Sequence, residues 1–150
     1  MTGTNGLFVH RRRVAWWDTD AANIAYTARF PQWCMEAIEE WFLDRLGIDW
    51  YRLNHDMNMG SPFVHMSMDM RSSVTPRDAL DTTVALKQAG RSSLAFELVG
   101  RTVADRRVSF EGRYVCVFVD RDTGKARDIP ECFRAAVARE VALAAGVRGD

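Results

Sequence analysis

Between Phe30 and Leu46 the residues Phe30, Trp33, Cys34, Ala37, Ile38, Trp41, Phe42 and Leu46 recur at steps of three and four. That spacing predicts a long helix with one broad apolar face. Pro31 fits the first turn, where its missing N–H costs no internal hydrogen bond, and Gly47 fits the position just past the end. Gln32, Glu36, Glu39, Glu40 and Asp44 fall on the opposite side. Two tryptophans and two phenylalanines on one face need a surface that wraps them, more naturally a curved sheet than a single helix.

Strands for such a sheet follow from period-two patterns. Leu7 to Trp17 alternates, with Phe8, His10, Arg12, Val14 and Trp16 on one side. Its run Arg11-Arg12-Arg13 reads as a solvated edge, because charge runs are usually exposed. Ile48 to Gly60 has no steady period and is a connector, with a short helical turn around Tyr51 to His55. From Phe63 to Val74, Val64, Met66, Met68 and Met70 share one face, expected to be core, since methionine fills gaps in packed interiors. His65, Ser67, Asp69 and Arg71 share the other. Leu80 to Gln88, Ser93 to Val103 and Val108 to Val119 are three further strands, and the short connectors between them predict an antiparallel meander. Glu131 to Ala145 is alanine-rich and helical, with Phe133, Ala136, Val137 and Val141 placed to cover one end of the sheet. The expected class is α+β, one domain over residues 1–150, with an antiparallel sheet wrapped around a long central helix.

Composition narrows the function. The 150 residues are 47% hydrophobic and 27% charged, which excludes disordered and membrane-embedded classes. Twenty basic and twenty acidic side chains cancel, so no overall field favours nucleic acid or an anionic membrane, and any anionic ligand must be met by a local patch. Cys34, Cys116 and Cys132 form no CxxC pair, and no secretory leader pattern is visible, so a reducing cytoplasm is the expected compartment. GxGxxG, P-loop, HExxH and GxSxG patterns are absent. His10, His55 and His65 lack metal-ligand spacing, and neither a metal nor an organic cofactor is expected. Cys34 lies on the apolar helix face and is read as buried and inert.

Two carboxylates remain, Asp18 and Asp20, in the segment Trp16-Trp17-Asp18-Thr19-Asp20 just before the helix. An Asp there can cap the helix by accepting its first N–H groups. It can equally be a nucleophile or general base beside N–H groups that polarise a carbonyl. The residues alone leave both uses open.

The stretch Val14 to Phe42 resembles the signature of the 4-hydroxybenzoyl-CoA thioesterase family of hotdog-fold proteins. Asp18-Thr19-Asp20, Ala22, Ile24, Tyr26, Phe30 and Trp33 fall in register with it, and Gly60-Ser61-Pro62 before a strand matches a later feature. The likeness extends more weakly to about Val119. It implies an acyl-CoA thioesterase, aromatic acyl groups favoured over aliphatic ones or an acyl carrier protein, in which the second Asp, Asp20, is catalytic and the Thr27 N–H stabilises the oxyanion. It further implies substrate contacts from Asn23 and Tyr26, and CoA-phosphate contacts from Arg91, with Lys87, Arg71 and Arg127 as weaker candidates. Members of this kind assemble as homodimers or homotetramers with sites between subunits, which makes His65, Ser67 and Asp69 of a second copy candidates to face Asp20. Asn23 stands where the family usually has Gly, and Thr27 where it commonly has Tyr or His. A non-catalytic acyl-CoA-binding protein is the rival reading.

Overall fold

The computed structural model describes residues 1–147. Five strands form one antiparallel sheet: β1 (Phe8–Arg13), β3 (Phe63–Met70), β4 (Ala79–Ala89), β5 (Ser93–Thr102) and β6 (Val108–Val117), in the spatial order β1-β4-β5-β6-β3. The short strands β2 (Met59–Gly60) and β7 (Val119–Asp120) pair separately. Helix α1 (Arg29–Trp41) runs on into a π-helical turn, Phe42–Leu46, and stops at Gly47, whose φ of 73° is the left-handed conformation that glycine adopts without strain. Helix α2 is Trp50–Met57 and α3 is Glu131–Gly146.

The sheet curls around α1, the hotdog arrangement. Its inner face carries the even-numbered residues of β4, β5 and β6, among them Leu80, Val84, Leu86, Leu94, Phe96, Leu98, Phe110 and Tyr114, all fully buried. The helical stripe read from the sequence meets them: Phe30 packs edge-on to Phe110 with ring centroids 5.6 Å apart, and Trp41 to Phe96 at 5.0 Å. Burying a large apolar side chain stabilises by about 1.5–3 kcal/mol, so this interface is the main force holding helix to sheet. β1 pairs with β4 only as far as Val84. Beyond that point α3 packs on β4 and covers an edge that would otherwise expose unpaired backbone. Phe133, Val137, Glu140 and Ala144 form its buried face, and Ala136 and Val141 are half-covered.

The three strands from Leu80 onward form the expected antiparallel meander β4-β5-β6, while β3 sits at the far edge beside β6 and the segment 71–78 crosses to β4. Two expectations need correction. The β3 methionines lie on the inner face, opposite Phe110, Gly112 and Tyr114, and Met68 packs against the core. Met66, Met70 and the bulged Val64 are exposed rather than core. The second correction concerns the arginine run. β1 is indeed an edge, yet period two turns Arg12 inward, onto the ring of Trp33 at 4.9 Å, while Arg11 clamps Asp81 at 2.7 and 2.9 Å.

Candidate active site

β1 ends at Arg13, and the chain enters a tight 3₁₀ turn, Trp16–Asp18, that leaves both indoles exposed. Asp18 forms the floor of the turn. Its side chain is buried, accepts from the Ala15 N–H at 2.8 Å and from Arg12 Nη1 at 3.1 Å, and lies 3.5 Å from Arg29 Nε. A buried carboxylate with this set of donors is a structural anchor.

Two residues later Asp20 is exposed, and the only hydrogen bond to its carboxylate among the described residues is from the Ala22 N–H at 2.9 Å. A miniature hairpin presents it: the Tyr26 N–H donates to Asp18 O at 2.8 Å, Thr19 bridges Ala25, and the Asp20 N–H donates to Ile24 O at 3.1 Å. The reversal needs one residue of positive φ, and Asn23 supplies it at 61°. Asparagine is among the few residues that tolerate this region, so the turn survives the loss of glycine. The hairpin is tied to the sheet by the Ala25 N–H on Val74 O at 2.9 Å.

The start of α1 lies directly after this hairpin and is uncapped. Ala28 occupies the cap position and offers no side-chain acceptor. The Arg29 and Phe30 N–H groups turn back onto Tyr26 O and Thr27 O, whereas those of Thr27 and Ala28 find no acceptor among the described residues. Neither Asp18 nor Asp20 caps the helix, so of the two uses the sequence left open, capping is removed. What remains is an accessible carboxylate on the hairpin that leads into two N–H groups without acceptors at the positive end of a helix dipole, N–H groups suited to holding a carbonyl oxygen as it gains charge.

Tyr26 is half-exposed beside the hairpin, and with Trp16 and Trp17 it rims the site with aromatic surface. The two tryptophans were not singled out from the sequence as site residues. Their exposure follows from the turn that buries Asp18, which no periodicity reports.

The candidate cations do not gather here within one protomer. Arg71, just past β3, is held by Glu111 at 2.9 Å and sits three residues before the Val74 anchor. Lys87 is on the outer side of β4, within 4.0 Å of Glu97 and 3.4 Å of Ala144 O. Arg91 occupies the β4–β5 turn, largely exposed, with Asp128 at 3.0 Å. Arg127 is nearby in the chain segment that pairs with this turn. The Asp20 hairpin is at the opposite end of β4, and eleven residues at about 3.3 Å each separate the two by roughly 35 Å. His65, Ser67 and Asp69 project from the outer face, opposite Val115, Arg113 and Glu111, and likewise do not face Asp20 in the same chain. The Cys34 thiol is buried under the sheet, and burial pushes it up to about 12, in keeping with an inert role. Among the described residues no helix is long and apolar enough to cross a membrane.

Comparison with known proteins gives three bearings. The family model of the thioesterase-like superfamily matches residues 14–137. Two proteins called 1,4-dihydroxy-2-naphthoyl-CoA hydrolase are similar: that of Synechocystis sp. is 28% identical over 117 residues, 75% of this chain and 82% of that one. That of Picosynechococcus sp. is 34% identical over 74 residues, so the matched stretch spans only half of its length, 50%, and 49% of this chain. Among solved structures, a thioesterase-superfamily protein of Jannaschia sp. CCS1 superposes with a TM-score of 0.83 at 37% identity, over 90% of this chain and 93% of that one.

Proposed function

The chain belongs to the thioesterase-like superfamily, and we propose that this hotdog-fold thioester hydrolase cleaves an aromatic acyl-CoA with Asp20 as its reacting carboxylate. The reading rests on an exposed Asp20 carboxylate that accepts a single N–H and on the N–H groups of Thr27 and Ala28, without acceptors among the described residues, where the same hairpin enters α1. The thioester carbonyl oxygen is held by the Thr27 N–H, and negative charge that develops there is stabilised by the helix terminus. Asp20 then either attacks the carbonyl carbon, expelling the CoA thiolate and leaving an acyl-aspartyl anhydride that water hydrolyses, or takes a proton from a water that attacks directly. A burst of free CoA ahead of the free acid in a single turnover marks the first route. Its absence marks the second.

An aromatic acyl group is supported by the exposed Trp16, Trp17 and Tyr26 around the carboxylate and by the names of the two cyanobacterial relatives. Asn23 serves by shaping the hairpin, Tyr26 by its exposed ring. The distance between the Asp20 hairpin and the Arg91 and Arg127 end favours a site completed by another copy of the chain. The apolar inner row of the β3 edge, with Val64, Met66 and Met70 exposed, is the surface for a side-by-side homodimer, and a homotetramer is its natural extension. Arg91, with Arg127, Arg71 and Lys87 as further cations, then meets the CoA phosphates. Three unpaired cysteines suit the reducing cytoplasm, where acyl-CoA esters occur.

The test follows thiol release from benzoyl-, hydroxybenzoyl-, dihydroxynaphthoyl-, phenylacetyl- and aliphatic CoA esters. Aromatic esters are expected to be cleaved fastest. No release from any ester overturns the enzyme assignment in favour of a binding protein, and a preference for aliphatic esters overturns the substrate class.

A further inference from the structure

Behind the site, one guanidinium touches both of its halves. Arg12 is three-quarters buried, and its Nη1 donates to Asp18, which anchors the Asp20 hairpin, at 3.1 Å. Its Nη2 lies 3.4 Å from Glu36 Oε2 on α1, the helix whose start carries the Thr27 N–H. The ring of Trp33, one turn earlier on α1, lies under the guanidinium at 4.9 Å. His10, two residues back on the same face of β1, holds the other oxygen of Glu36 at 2.9 Å. From the outer side Arg29 adds a second tie, to Trp17 O at 3.1 Å and Asp18 at 3.5 Å.

We propose that Arg12 is a positioning residue for thioester hydrolysis: its planar fork, bonded to Asp18 on one side and Glu36 on the other, fixes the Asp20 hairpin relative to the helix start that binds the oxyanion. The inference rests on the assignment of Asp20 and Thr27 above. Asp20 sits on the hairpin and the Thr27 N–H in the turn that leads from it into α1, so their separation depends on how the hairpin is held against the helix start. Beyond the backbone bonds of Tyr26 N–H to Asp18 O and Arg29 N–H to Tyr26 O, the side-chain joints are Arg12 and Arg29, and of these Arg12 is the more buried. A lysine preserves the charge but reaches one carboxylate at a time, so it cannot hold both. Displacement of reacting groups by about 1 Å costs on the order of 100-fold in rate with little effect on binding of the remote CoA moiety.

The test is Arg12→Lys and, as a second variant in which only one arm is cut at a half-exposed carboxylate, Glu36→Gln. Each is read by steady-state kinetics and by amide hydrogen exchange of residues 15–28 in the free protein. Expected for Arg12→Lys are a fall in kcat of about 10- to 100-fold, KM within roughly threefold of wild type, and faster exchange confined to that segment. Glu36→Gln should move both readouts the same way by less. A loss that falls on KM with kcat intact, or exchange in 15–28 indistinguishable from wild type in both variants, overturns the positioning role. If wild type cleaves no thioester while Arg12→Lys still loosens the segment, the mechanical link stands and the thioesterase assignment is what fails. Should Arg12→Lys not fold, Glu36→Gln alone decides by the same two readouts.

Discussion

Gly100 and Phe110 make the sharpest prediction about the fold. They are directly paired on the inner face of the β5–β6 ladder, and the Phe110 ring lies flat over the space where a side chain on residue 100 would stand. A Cβ built there would lie 2.7 Å from Phe110 Cδ1, with Cε1 and Cζ closer still. The ring has nowhere to go: it is fully buried, with Phe30 of α1 against it at 5.6 Å. Gly100→Ala should therefore cost near the upper end of the overpacking range, about 3 kcal/mol. At roughly 2–4 °C per kcal/mol for a chain of this size, that lowers Tm by about 6–12 °C. Phe110→Ala alone should cost about 3–5 kcal/mol through the cavity it leaves. In that background, adding Gly100→Ala should be close to neutral, because the ring it collides with is gone and the unfolded chain loses freedom. Urea unfolding of the four proteins gives the coupling energy, expected to be about 2 kcal/mol or more. A cost for Gly100→Ala below about 0.5 kcal/mol, or the same cost with and without Phe110, would refute the packing described.

Further outcomes concern charge, thiols and assembly. The Asp81 carboxyl is held below the usual carboxylate range, first by hydrogen bonding to Arg11 and then by Arg106 at 2.9 Å. Because its folded value is depressed, its stabilisation is complete above the unfolded value of about 3.9 and is lost as pH falls through the folded one. Asp81→Asn should cost on the order of 1 kcal/mol at neutral pH, both arginines being half-exposed, and should flatten the loss of stability below about pH 4; a variant with an unchanged acid profile would contradict the clamp. Burial pushes the Cys34 and Cys116 thiols up to about 12, while Cys132 is exposed. A thiol reagent at pH 8 should modify one cysteine in the native protein and three in denaturant; rapid modification of all three would contradict the buried core. Light scattering should give a mass of two or four chains, and Met66→Arg on the exposed inner row of β3 should lower it; a wild-type monomer would remove the proposed shared site.

How much of this was legible in the sequence depends on where burial decides. Helix α1 was, because a three- and four-residue apolar repeat survives only where one face is covered, and Gly47 marked its end because glycine adopts the left-handed conformation there without strain. The strands were legible for the same reason. The methionine row of β3 misled because alternation reports which face a residue is on, not whether anything covers that face. The place of β3 beside β6 was hidden because strand pairing between distant segments leaves no local pattern. In the Arg11-Arg12-Arg13 run composition said solvent, while period two sent Arg12 to the inside, where Asp18, Glu36 and Trp33 accept it. The resemblance singled out Asp20 over Asp18, and their surroundings, which no sequence pattern reports, differ: the Asp18 carboxylate is buried among donors, the Asp20 carboxylate left open. Of the cations proposed for CoA, Arg91 came from the resemblance with Lys87, Arg71 and Arg127 as weaker candidates, and neither motif nor charge reports which end of the sheet a residue occupies.

The direct test of the central claim is kcat/KM for wild type, Asp20→Asn and Asp18→Asn on the best aromatic acyl-CoA ester, alongside the melting temperature of each. Asp20→Asn should lose about 10²–10⁴-fold with an unchanged melting temperature, since its carboxylate holds only a surface N–H. Asp18→Asn should lose stability together with activity, because the carboxylate shared by Arg12 and Arg29 becomes a neutral amide with one acceptor oxygen instead of two. Full activity in Asp20→Asn would contradict the account.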